Sequence, residues 1–251
     1  MTWQWFHRLG SPKWFYEKTS VWLPYLSIAS ILLFVVGAVW GLAFAPEDHD
    51  QGNSYRIIYV HVPSSIVAMA GYYIMAIAGA IGLIWKMKLS FVVMRCAAVI
   101  GIGLTFLSLF TGAVWGKPTW GTYWHWDARI MFTFVLLLLY VSIVALHNAY
   151  AKNDLADKIC AILALVGTVN IPIIYKSVDW WYSLHQPATI KITDESTIAA
   201  SMAYPLGIMV IAFYALYTLL LILHVRTEIL YRERKTSWVK SIVLSANRQG
   251  E

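Results

Sequence analysis

Charge is scarce in this chain. Asp, Glu, Lys and Arg together make up 13 % of its 251 residues, and apolar types make up 59 %. An average soluble domain is about 25 % charged and about 45–50 % apolar. With a mean hydropathy of +0.62, too few charges remain to cover a water-soluble globule of this size. The same composition excludes disorder, a collagen-like repeat and a coiled coil. Cysteine is nearly absent: Cys96 and Cys160 are the only two, and both read as reduced core thiols. No C-x-x-C-H occurs, so no covalent haem attachment to this chain is expected. No P-loop motif occurs either, so ATP hydrolysis by that route is not expected. Internal repeats and low-complexity tracts are missing. A cleavable signal peptide is not expected, because the first apolar run starts some twenty residues in and exceeds an h-region of about 7–15 residues.

What the sequence has is long apolar runs and aromatic side chains. Six runs span 22–44, 57–85, 91–115, 128–150, 159–175 and 202–225. A membrane-spanning helix needs about 20 residues, with a range of about 17–25. The spacing predicts an all-α, polytopic membrane protein with six transmembrane helices, forming one membrane domain over 1–251. The fifth run is the weakest, being short and carrying Asn170 and Pro172. Arg95 and Arg129 are the only formal charges within the runs, and both lie near span ends, where they can snorkel. Lys and Arg are unevenly divided between the connections. Thirteen fall in the two tails and connections 86–90 and 151–158, including six in the basic tail 226–251. Four, Arg56, Lys117, Lys176 and Lys191, fall in the other three connections. The positive-inside rule then predicts both termini in the cytoplasm. The net charge of +6 is anchoring charge, and it needs no nucleic-acid partner. Trp3, Trp5, Phe6, Trp14 and Phe15 among basic residues read as an interfacial stretch.

The chain carries 13 Trp and 15 Tyr, more than lipid-facing helices need. Four of the tryptophans fall in one outer connection, 115–129: Trp115, Trp120, Trp124 and Trp126, with Tyr123 between them. An aromatic belt at headgroup level would use one or two rings per helix end, spread around the bundle. Here the indoles are concentrated, and Gly116, Pro118 and Gly121 allow tight turns and close backbone approach. A loop of stacked indoles suits a large planar aromatic ligand. Asp127 and Arg129 are candidates to pin the loop to span four, although residues two apart do not share a helix face. His61, within span two near its outer end, is either bonded to a neighbouring helix or functional. His185 lies in the last outer connection, where a solvated loop histidine is the alternative. On the predicted topology both histidines share one membrane face with the tryptophan loop. Two imidazoles and an indole platform are what a porphyrin with two axial histidines requires. Pro63 and Pro187 stand just after each ligand and are expected to fix chain direction there. The remaining histidines are weaker candidates. His125 is a solvated loop histidine, with a spare ligand or a propionate donor as the weaker alternative. His147 and His224 are snorkelling interfacial residues or an inner haem pair. His49 sits in an acidic, solvated loop.

The stretch Trp115-Gly116…Trp120-Gly121-Thr-Tyr123-Trp124-x-Trp126-Asp127 resembles the tryptophan-rich motif of the haem-handling proteins of cytochrome c maturation. By six spans and one flanking histidine on each side, the chain is similar to their short member, the haem exporter protein C family. Residues 51–63, 169–174 and 184–186 carry the same resemblance. It implies residence in the bacterial inner membrane, with haem held at the periplasmic face. His61 and His185 would be the axial ligands to the haem iron. Trp115, Gly116, Trp120, Gly121, Trp124, Trp126 and Asp127 would form the haem platform. The implied haem is b-type, non-covalent and transient. The implied partners are a periplasmic haem chaperone, the ATPase and permease of an ATP-binding-cassette transporter, and a small single-span protein. The expectation is a non-enzymatic delivery protein with no ATP site of its own. The alternatives are a haem oxidoreductase or quinone-linked redox subunit, which would need a second haem, and a haem-translocating subunit, which would need a polar path through the bundle.

Overall fold

The computed structural model describes residues 8–150, 154–185 and 198–249. Among them no β-strand occurs. Six segments are long and apolar enough to cross a membrane: Pro12–Phe44, Asn53–Trp85, Lys88–Trp120, Ala128–Ala149, Leu155–Trp180 and Ala200–Arg232. The first holds α1 (Pro12–Val39) and a π-helical turn, Trp40–Phe44. Ser11 caps α1 and Pro12 opens it, where a missing N–H costs nothing. A 3-10 turn, Asn53–Ile57, leads into α2 (Ile58–Trp85). Then follow α3 (Lys88–Trp120), α4 (Ala128–Ala149), α5 (Asp154–Gly167), α6 (Asn170–Trp180), α7 (Ala200–Arg232) and α8 (Ser237–Gln249).

The helices outrun the apolar runs that predict them. Trp115 to Trp120 are not loop residues: they form the last turns of α3, which ends on Gly121 with φ of 79°. Only 121–127 remain as a connection. The basic tail likewise starts later than expected, because α7 continues through Arg232. The fifth span is two helices. Thr168 and Val169 break it, and the Asn170 side chain donates to the Phe132 carbonyl at 3.0 Å. Pro172 then falls in the first turn of α6, where no helical donor is lost. Pro63 lies inside α2 and does not turn the chain; Pro187 lies outside the described residues.

Helix α2 is central, packed on α3, α5 and α7, while α1 packs on α7 and α6 on α4. One core cluster joins α2 to α6 around Tyr72, Met94, Leu136 and Tyr140. A second joins α2 to α7 around Tyr59, Leu206, Met209 and Phe213. Cys96 and Cys160 are free and buried, as expected, Cys160 in the first cluster and Cys96 in a third with Leu89, Val92, Val225 and Ile229. Trp22, Ile28, Ile31, Val35 and Val39 of α1 face outward, which suits lipid as solvent. At one end of the bundle the start of α1 meets the end of α7. Arg226 lies 3.7 Å over the Tyr16 ring, and Trp238 of α8 packs on the same ring at 5.8 Å. The unusual residues gather at the other end.

Candidate functional site

A cavity of about 350 Å³ opens at that other end, within the range of small-molecule sites. It is walled by the segment before α2, by α2, α3, the 121–127 connection, α4, α6, the residues after α6 and Leu206 of α7. Both His61 and His185 line it, together with Trp115, Gly116, Trp120 and Trp124. Six of the nine residues expected from sequence are thus brought to one cavity. The other three are not in its wall. Trp126 is 74 % exposed, Gly121 caps α3, and Asp127 stands behind His185.

Each imidazole is held by its Nδ1. His61, one helical turn into α2, faces α3. Its Nδ1 donates to the Ser108 carbonyl at 3.0 Å, with the Thr111 hydroxyl at 3.1 Å. A carbonyl only accepts, so the proton sits on Nδ1 and Nε2 keeps its lone pair. The ring fits because residue 112 is glycine: a Cβ there would stand 2.9 Å from His61 Cε1. His185 Nδ1 donates to Asp127 Oδ2 at 2.9 Å, fixing the same tautomer. Neither Nε2 has a hydrogen-bond partner among the described residues.

Asp127 does three things at once. Its Oδ1 accepts the Ile130 N–H at 2.9 Å and caps α4. Its Oδ2 accepts from His185 and from the Ser183 hydroxyl. Burial alone would raise its pKa, but the bonds from His185, Ser183 and the Ile130 N–H outweigh it and hold the carboxyl well below the usual range. It therefore stays ionised. The expected pinning of the loop to span four is present, but through this cap and not through Arg129, which donates to the Tyr175 carbonyl at 3.4 Å.

The indoles meet the imidazoles edge-on and do not stack into a flat platform. Trp115 lies 5.7 Å from His61 at 78°, and Trp120 lies 4.9 Å from His185 at 65°. Trp124 and Trp126 meet at 79°. Trp115 and Trp120 therefore buttress the two ligand candidates. Trp115 is itself held by Gln51, which accepts its indole N–H at 2.7 Å. Trp124 Nε1 is buried without a partner among the described residues, a donor left over for an acceptor on a ligand.

Sequence reasoning missed several residues here. Gln51, Ser108 and Ser183 position the rings, and Arg129, read from sequence only as a snorkelling or loop-pinning residue, is the one Lys or Arg of the cavity wall among the described residues. A cation in the first turn of α4 opposes the helix dipole, and that position is the signal that marks it. The weaker histidines separate from the site. His125 does not line the cavity, and its Nδ1 is buried without a partner among the described residues. His147 is not a snorkelling residue: it is 4 % exposed and bonded to Asp157 at 2.7 Å. His224 lines a separate groove between α3 and α7, so the two are not brought together there as an inner pair. His49 is fully solvated beside Asp50.

The family model described as Heme exporter protein C matches residues 5–240. The chain belongs to that family. Heme exporter protein C of Escherichia coli (strain K12) is 42 % identical over 247 residues, covering 98 % of this chain and all of the relative. The Haemophilus influenzae protein of the same name is 42 % identical, covering 96 % and 98 %. That of Bradyrhizobium diazoefficiens is 41 % identical, covering 89 % and 85 %. The expected all-α architecture with six long apolar segments holds for this haem exporter protein C family chain.

Proposed function

We propose that this protein holds haem as cargo at the outer face of a bacterial inner membrane and delivers it to a periplasmic haem chaperone for cytochrome c maturation. One observation carries the reading. Two imidazoles on separate segments line one cavity, each with its Nδ1 proton engaged and its Nε2 free for a metal. Ligating histidines are oriented in this way. The rest of the wall fits a porphyrin. Its indoles and Ile58, Ile66, Met69, Leu109 and Ile174 are apolar, and Arg129 and the Trp124 N–H suit propionates. Haem is then bound without a covalent link, as haem b. The basic end of the bundle faces the cytoplasm, and the cavity faces the periplasm. The protein is a subunit without chemistry of its own, working beside an ATP-binding-cassette ATPase and permease and a small single-span protein. A transmembrane redox role would need a second haem, and His147 is committed to Asp157 instead.

The test is delivery. In cells with intact haem synthesis, His61→Ala and His185→Ala should each reduce chaperone-bound haem at least tenfold while the protein still reaches the membrane. Chaperone loading that stays at the wild-type level in both variants would remove this function.

A further inference from the structure

The two imidazoles are held by unlike acceptors. His61 Nδ1 faces two neutral oxygens, the Ser108 carbonyl and the Thr111 hydroxyl, at 3.0 and 3.1 Å. His185 Nδ1 faces a carboxylate at 2.9 Å. That carboxylate is 3 % exposed, fixed by the Ile130 N–H on one oxygen and by the Ser183 hydroxyl on the other. Ser183 also accepts the His185 backbone N–H at 3.1 Å, so the ring, the serine and the aspartate form one closed unit. An anion pulls on the Nδ1 proton more strongly than a neutral oxygen does, and the electron density it releases appears at Nε2. His185 is therefore the stronger donor to iron, and His61 the weaker.

Resting on the haem-holding reading above, we propose that Asp127 is a positioning residue that makes His185 the retained axial ligand, so that His61 is the ligand surrendered first when an incoming nitrogen ligand takes the haem. The step is a ligand substitution. The bond from iron to His61 Nε2 breaks, the bond to the incoming nitrogen forms, and no electron or proton changes hands. The protein keeps hold of its cargo through His185 until the second bond opens.

The experiment uses the full chain in detergent micelles, loaded with ferric haem and titrated with imidazole. The mixed-ligand spectrum of the wild type is compared with those of His61→Ala and His185→Ala carrying the same added ligand. The expected match is His61→Ala. Asp127→Asn keeps a good helix cap but removes the anion. It should raise the haem reduction potential, weaken haem about 10- to 100-fold, and abolish the preference for displacing His61. Ser183→Ala leaves the cap untouched and takes a competing donor off Asp127 Oδ2, so it should lower the potential slightly, opposite in sign to Asp127→Asn, which separates this role from folding. A match to His185→Ala overturns the proposal. So does an Asp127→Asn protein that binds haem with unchanged potential and unchanged displacement. If neither alanine variant alters the haem spectrum, the axial assignment fails, and this inference falls with it.

Discussion

At the scale of single residues, the chemistry of the site depends on what stands behind each candidate ligand. His61 and His185 are legible in the sequence because imidazoles are expensive near an apolar span. Their restraints are only half legible. Asp127 stands out as an acid beside an indole cluster, but the Ser108 carbonyl is backbone and carries no sequence signature. Gly112 is equally silent until its neighbour is known. Gly112→Ala should crowd the His61 ring and cost about 1–3 kcal/mol in haem affinity, roughly a fivefold weakening at the lower end, read by titration with the helical content unchanged. Arg129→Gln should weaken binding of haem with free propionates several-fold, on the order of 1 kcal/mol, and leave the dimethyl ester unaffected. Equal losses for both ligands would take Arg129 away from the propionates.

At the scale of elements, apolar runs locate the spans but not their ends. Hydropathy reports where lipid is the solvent, whereas a helix continues until its backbone bonds are capped or broken. That is why α3 runs on to Gly121 and carries Trp115 and Trp120 on a rigid helix, where they can support the imidazoles. The fifth span shows the reverse case. Asn170 and Pro172 predict weakness, and the structure turns it into a break, with Asn170 bonded across to α4. That bond sets α6 against α4, the two helices that bring Ile174 and Thr133 to the cavity wall. Side-chain hydrogen bonds between membrane helices average about 0.6 kcal/mol. Asn170→Leu should therefore destabilise the protein by roughly that amount in a detergent unfolding titration, and loosen haem in step with it. A variant more stable than wild type would show that the break is not held by this bond.

At the scale of the whole molecule, the bundle has two unlike ends. One gathers Tyr16, Arg226 and Trp238 beside the basic tail. The other gathers the cavity, the acidic stretch around Asp48 and the exposed rings of Tyr123, Trp126 and Tyr182. On the proposed reading the count of Lys and Arg puts these ends in the cytoplasm and the periplasm, and direction in a membrane is an interaction with lipid and field. Because Cys96 and Cys160 are buried, a cysteine placed at His49 should react with a membrane-impermeant maleimide in intact inner-membrane spheroplasts. One placed at Ser237 should react only after lysis, and the opposite pattern would invert the topology. The claim that joins all three scales is that one haem sits between His61 and His185. The direct measurement is the ferric spectrum of the purified full chain with one equivalent of haem. A low-spin, bis-histidine spectrum that turns high-spin or is lost in both His61→Ala and His185→Ala is the predicted result. A high-spin wild type, or a low-spin spectrum that survives either substitution, would contradict it.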